Sequence, residues 1–236
     1  MSSITSTKVP TLGIGSSHQS MPVLGFGTAA SPPPKPMVLK QTVLEAIKLG
    51  YRHFDTSPRY QTEEPLGEAL AEAVSLGLVQ SRSELFVTTK LWCADAHAGL
   101  VVPAIRRSLK NLKLDCIDLY LIHWPVSSKP GSRGAIWGNH NIMESDVLKE
   151  IAEAKGKTLA QVSMRWAYEE GVSMVVKSFT KERLEENLKI FDWSLTEEET
   201  QRISTEIPQC RIVAGELYIS EKGPIKSVAE MWDGEI

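Results

Sequence analysis

Four short apolar runs, "MPVLGFGTAA" (21–30), "YRHFDTS" (51–57), "ELFVTTKLW" (84–92) and "CIDLYLIHWP" (116–125), are separated by segments of helical periodicity. That alternation restricts the chain to a parallel sheet or barrel with helical crossovers, because parallel strands cannot be joined by a tight turn. The first crossover carries Leu39, Val43, Ala46 and Ile47 on one face, and Gly50 stands where a left-handed cap is wanted. The second has Pro65 at its start, Leu66, Ala69, Leu70, Ala73 and Val74 on one face, and Gly77 as its stop. The third predicts a stripe of Val102, Ile105, Leu109 and Leu112. The fourth run is almost continuously apolar, as a strand covered on both faces should be.

After that run the pattern breaks. Residues 132–143 have no period and supply no crossover helix. Two helices follow in succession, one over 146–155 with Leu148, Ile151 and Ala152, the other opening at a Thr158 to Gln161 capping box and striped by Leu159, Val162, Trp166 and Ala167. A fifth strand, "VSMVVKSF" (172–179), leads through Thr180 as N-cap to a helix with Leu184 and Leu188. The last helix starts at a second capping box, Thr196 to Glu199, and the tail from Pro208 reads as a long surface loop. The Gly/Ser-rich start is able to form a hairpin.

The 236 residues suffice for one core, so a single domain spanning 1–236 is expected. A net charge of -3, with Lys and Arg spread along the chain, offers no footprint for nucleic acid and points to a small-molecule ligand. Cys93, Cys116 and Cys210 have neither metal-site nor disulfide-framework spacing, and no apolar run is long enough for a membrane span. A soluble cytoplasmic protein with no metal is the expectation.

Side-chain alternation puts one titratable residue at the C-terminal end of each of three successive strands: Asp55, Lys90 and His123, with Tyr60 on the loop above. Singly, each reads as a solvated strand end. Jointly they suit carbonyl reduction: Lys90 is expected to lower the Tyr60 phenol, Asp55 to hold Lys90 charged, and neutral His123 to orient a carbonyl oxygen. Trp92 and Trp124 read either as walls of an apolar substrate pocket or as rim packing. A second cluster, "VVKSFTKER", brings Lys177, Ser178 and Arg183 to a helix N-terminus, which suits a phosphate or is a surface charge cluster. "GFGTAA" and "GIGSS" lack the third glycine of a dinucleotide fingerprint.

The segments "MPVLGFGTA", "GYRHFDTSPRYQTEEPLGEAL", "ELFVTTKLWCADAH", "LKLDCIDLYLIHWPVSSKPG" and "KGKTLAQVSMRWAYEEGVSMVVKSFTKERLEENLKIFDWSLTEEE" together cover most of the chain. In them the sequence resembles the aldo-keto reductases, within the plant branch of specialised metabolism that includes chalcone, codeinone and methylecgonone reductases. The resemblance implies a TIM-barrel-derived (β/α)8 fold, NADP(H) as cofactor, and reduction of aldehydes and ketones. It implies a catalytic tetrad of Asp55, Tyr60, Lys90 and His123, with Tyr60 the proton donor. It also implies cofactor contacts from Gly27, Thr28, Asp55, Lys177, Ser178, Phe179, Arg183, Glu186 and Asn187, and a substrate pocket at Trp92, His123 and Trp124.

Two departures stand out. Pro58 stiffens the loop between Asp55 and Tyr60. More consequentially, three strand-helix units, strands five to seven, are absent, on the order of ninety residues at about thirty per unit. The seam is expected near Gly131 and Ser132. The Ser-Asn pair, the Gln and the stacking aromatic that hold the nicotinamide in the family have no counterpart. Five strands cannot close such a barrel, so the strand of His123 is left with an open edge unless the fifth strand collapses against it. The alternative reading is therefore a catalytically inactive truncated isoform or gene-model product, interacting with a full-length partner.

Overall fold

The computed structural model describes residues 8–15, 19–124, 144–208, 215–216, 219–223 and 225–232. The chain opens with an antiparallel hairpin of β1 (Thr11–Ile14) and β2 (Gln19–Pro22). Five parallel strands follow, β3 (Leu24–Gly27), β4 (His53–Asp55), β5 (Phe86–Leu91), β6 (Leu119–Ile122) and β7 (Met174–Val176), in the order β6-β5-β4-β3-β7. The fifth strand therefore does not collapse against the strand leading to His123. It pairs with β3, leaving β6 and β7 each with a single neighbour among the described residues.

The crossover helices follow the sequence pattern closely. Helix α1 (Pro36–Leu49) starts with proline in its first turn, buries Leu39, Val43, Ala46 and Ile47, and stops at Gly50. That glycine has φ of 110°, and its N–H donates to the carbonyls of Ala46 and Ile47. Helix α2 (Glu63–Ser75) buries Leu66, Ala69, Leu70 and Ala73. These faces pack on Phe26, Phe54 and Val87 to make the main core, joined by Leu112, Met164, Leu184 and Leu188 from later helices. A satellite core gathers Leu148, Ile151, Ala152, Val162, Leu195 and Ile203 from α4 (Asp146–Lys155), α5 (Leu159–Glu169), α7 (Glu197–Glu206) and the approach to α7. Both predicted capping boxes form, with Thr158 and Gln161 on α5 and Thr196 and Glu199 on α7.

Three local expectations are corrected. Helix α3 (Val101–Leu112) buries Ala104, Ser108 and Leu112, while Val102 is 54% exposed, because α2 and β5 meet the face one residue round from the apolar stripe. Strand β6 is not covered on both faces: Leu121 is 39% and Ile122 70% exposed, β5 being its one sheet neighbour among the described residues. In the tail, one helical turn, α8 (Val228–Met231), is capped by Ser227. The expected seam near Gly131 and Ser132 lies outside the described residues.

Helices α2 and α3 touch through Gly67. A Cβ there would lie 2.5 Å from the carbonyl carbon and 2.6 Å from the Cα of Leu112, which is backbone and cannot swing away. Gly67→Ala is expected to lower unfolding free energy by roughly 2 kcal/mol from overpacking, net of the modest helix-propensity gain, measured as a shift in the urea midpoint.

Candidate active site

The parallel ladder decides which side chains share a face. Asp55 pairs with Thr88 and Thr88 with Leu119, while Lys90 pairs with Leu121, so Asp55, Lys90 and His123 all project from one side of the sheet. The backbone N–H of His123 donates to the Leu91 carbonyl at 3.0 Å and carries the ladder one residue past β6. Tyr60 arrives from a single 3-10 turn, Pro58–Tyr60, whose N-cap is Ser57. Proline suits the first position of that turn, so Pro58 helps set the geometry that brings the phenol back over the strand ends.

Lys90 Nζ donates to both oxygens of Asp55 at 2.6 Å and to the Thr56 carbonyl at 3.0 Å. Burial pushes the Asp55 carboxyl up and the Lys90 ammonium down, and each is pulled back toward its charged form by the other. The ammonium also lies 4.9 Å from the centroid of the Tyr60 ring. The Tyr60 hydroxyl is 3.3 Å from His123 Nε2, and the two rings meet edge to face at 5.3 Å.

The expectation that Lys90 lowers the Tyr60 phenol is reversed. Burial first, and the Asp55 charge second, raise it above the usual phenol range. The reason is geometric: Lys90 sits over the ring and is engaged by the carboxylate rather than aimed at the phenolic oxygen. Tyr60 accordingly holds its proton at neutral pH. His123 is lowered to about 4, by burial and then by the charges of Lys90 and Arg59, so its imidazole is neutral as expected.

Both tryptophans contact that imidazole. Trp92 meets it edge to face at 5.1 Å and Trp124 stacks on it at 6.1 Å. The Arg59 guanidinium lies 5.7 Å from the Trp92 ring.

Gly27 and Thr28 adjoin the same strand ends. Gly27 pairs with Asp55, and the Thr28 N–H and hydroxyl both donate to the Asp55 carbonyl, at 3.0 and 3.1 Å. The Thr28 hydroxyl is 2.7 Å from that of Thr62, which is 2.9 Å from that of Thr56.

The second cluster follows β7. Helix α6 (Lys181–Leu188) has Thr180 at its N-cap position, and Ser178 Oγ accepts the Thr180 N–H at 3.1 Å. Lys177 and Arg183 are exposed, and Lys177 lies 5.9 Å from the Phe179 ring. Glu186 and Asn187 are half-buried, the Glu186 carbonyl accepting from Gln161, and the Tyr51 hydroxyl donating to the Leu184 carbonyl on the same helix at 3.1 Å.

Ser57 and Arg59 were not singled out in the sequence. Ser57 Oγ lies 3.0 Å from His123 Nδ1 across a separation of 66 positions, which no local pattern carries. The only trace is a serine immediately before Pro58, which marks a capped turn. Among the described residues no group of His, Cys, Asp and Glu is arranged to hold a metal, and no helix is long and apolar enough to cross a membrane.

Removing one partner of the Asp55–Lys90 pair strands the other charge in a buried place. Lys90→Met is expected to cost on the order of 3 kcal/mol of unfolding free energy at pH 7, read from urea melts. His123 adds a pH dependence. Its ordinary value is 6.5 and its folded value about 4, so as pH falls the unfolded chain takes the proton first. Its contribution is complete above pH 6.5 and disappears between 6.5 and 4. Between pH 7 and 4.5 the native chain should lose about 2 kcal/mol more than His123→Gln, comparing urea midpoints, after allowance for solvent screening.

Residues 23–145 and 138–206 match the model of the Aldo/keto reductase family. A (1S)-1,7-diacetoxy-luvungin A aldo-keto reductase of Citrus sinensis is 40% identical over 319 aligned residues, covering 98% of this chain and 99% of that protein. NADPH-dependent codeinone reductase 1-1 of Papaver somniferum is 40% identical, covering 97% and 98% of the two chains. A crystal structure of a Bombyx mori aldo-keto reductase in complex with NADP superposes with a TM-score of 0.72 at 27% identity, covering 83% of this chain and 92% of that one. An alignment of 319 residues exceeds the 236 present, so the match to the citrus enzyme bridges a long stretch with no counterpart here. Among the described residues, five parallel strands carry a fold that the sequence resemblance describes with eight. In a shortened form of the family's barrel, the chain belongs to the aldo/keto reductases.

Proposed function

We propose that the chain is an NADPH-dependent reductase of aldehydes or ketones, with Tyr60 as proton donor, His123 orienting the carbonyl oxygen, and Asp55 and Lys90 setting the electrostatics of Tyr60. One observation carries the reading. A phenol that keeps its proton stands 3.3 Å from a neutral imidazole with a buried ion pair beneath it, so two hydrogen-bonding groups converge on one point. Tyr60 gives its proton to the carbonyl oxygen as negative charge develops there, with the Lys90 ammonium, held by Asp55, 4.9 Å from the centroid of its ring. Trp92 and Trp124 flank His123 and exclude water from an apolar small-molecule substrate.

The chemistry of the donor set fits the cofactor at one end. Lys177 and Arg183, with Ser178 and the N-terminus of α6, suit a 2'-phosphate, with Phe179, Glu186 and Asn187 toward the adenosine. Gly27, Thr28 and Asp55 line the strand ends near the reacting centre. When bound, NADPH supplies the hydride. The residues that hold the nicotinamide in the family belong to the absent strands, so positioning of that end rests on the residues around Tyr60 and His123. We read residues 1–236 as one domain shortened near 131–132. Widely spaced cysteines, with Cys93 and Cys116 unpaired, suit the reducing cytoplasm.

The second reading, an inactive shortened product that binds a full-length partner, is favoured by the two open edges. Ile122 and Leu121 are exposed on β6 and Val175, 48% exposed, on β7. Titration with NADPH, turnover of a generic aldehyde and sedimentation of the purified chain separate the two. Under the reductase reading, Tyr60→Phe lowers turnover by roughly 10²–10⁴-fold while NADPH affinity stays within about twofold. Arg183→Ala should weaken NADPH by about tenfold and leave NADH nearly unchanged, as loss of a charge-assisted bond to phosphate predicts. No NADPH response, together with mixed assembly with a full-length relative, would favour the inactive product.

A further inference from the structure

Ser57 is fully buried, and its Oγ has two partners among the described residues: the Arg59 N–H at 3.2 Å and His123 Nδ1 at 3.0 Å. A backbone N–H only donates, so Arg59 occupies a lone pair of Oγ and leaves the hydroxyl proton to be placed. His123, neutral because burial and two nearby cations hold it near 4, has a single ring proton to assign. Suppose it sat on Nδ1. Oγ would then accept twice, its own buried O–H would have no acceptor among the described residues, and Tyr60 would have to turn its phenol proton onto Nε2.

The opposite assignment satisfies both ring nitrogens and the fully buried Ser57 hydroxyl, and the one proton it leaves to be placed is that of the half-buried Tyr60 phenol. We propose that Ser57 is a positioning residue that fixes His123 as the Nε2–H tautomer: Ser57 donates to Nδ1, and Nε2–H donates to the Tyr60 oxygen or to a bound carbonyl oxygen. The phenol proton of Tyr60 is thereby kept off the imidazole and available to the substrate. One hydroxyl sets the direction of both hydrogen bonds at the reacting centre. The catalytic consequence rests on the reductase reading, whereas the tautomer does not.

The test is nitrogen-15 NMR of the full chain labelled at histidine, at pH 7, with His123 assigned by its loss in His123→Gln. The native spectrum should show an unprotonated Nδ1 and a protonated Nε2. In Ser57→Ala the two resonances should converge as tautomers mix, and in Ser57→Thr they should keep the native pattern. Turnover is expected to fall roughly tenfold in Ser57→Ala with KM within about twofold, and to recover in Ser57→Thr. A native spectrum with the proton on Nδ1, or a Ser57→Ala spectrum matching the native one, overturns the proposal. If Ser57→Ala does not fold, the native spectrum decides alone. Undiminished turnover in Tyr60→Phe would sink the reductase reading and leave the tautomer result standing.

Discussion

The register of the parallel ladder across β4, β5 and β6 is the constraint on which everything above it depends. Because side chains alternate along a strand, a slip of one residue would turn Lys90 or His123 to the opposite face and dissolve the site. The pairings of His53 with Phe86 and of Lys90 with Leu121 prevent that slip, and the buried Asp55–Lys90 ion pair forms where the register brings the two together. A charged pair this buried contributes more to specifying one arrangement of strands than to net stability.

The site is assembled on a fraction of a barrel's strands. Asp55, Lys90 and His123 come from three adjacent strands, and Tyr60 from the loop between two of them, so their mutual geometry needs no closure of the sheet. Closure matters for what lies opposite. Leu121 and Ile122 on one side and Val175 on the other are exposed on the two strands that have a single neighbour each among the described residues.

Features encoded within a few residues of one another were legible in the sequence. The left-handed cap at Gly50, both capping boxes, the inward faces of α1 and α4, and the strand-end order of Asp55, Lys90 and His123 follow from local spacing. What failed depends on contacts distant in the chain. The buried face of α3 is chosen by α2 and β5, the exposure of β6 by its having one sheet neighbour among the described residues, and the upward shift of Tyr60 by enclosure and by Asp55. The contact of Ser57 with His123 had no sequence signal beyond a serine before a proline. The apolar run ending at His123 was itself misleading, since it still carries the composition of a strand sandwiched in a complete barrel.

The three threonines beside the site form a chain with a sense. When Thr28 gives its hydroxyl proton to the Asp55 carbonyl, Thr62 gives its own to Thr28, and Thr56 gives its own to Thr62. The turn after β3, the turn after β4 and the start of α2 are therefore tied together by hydroxyls, Thr28 to Thr62 to Thr56, over and above the pairing of β3 with β4.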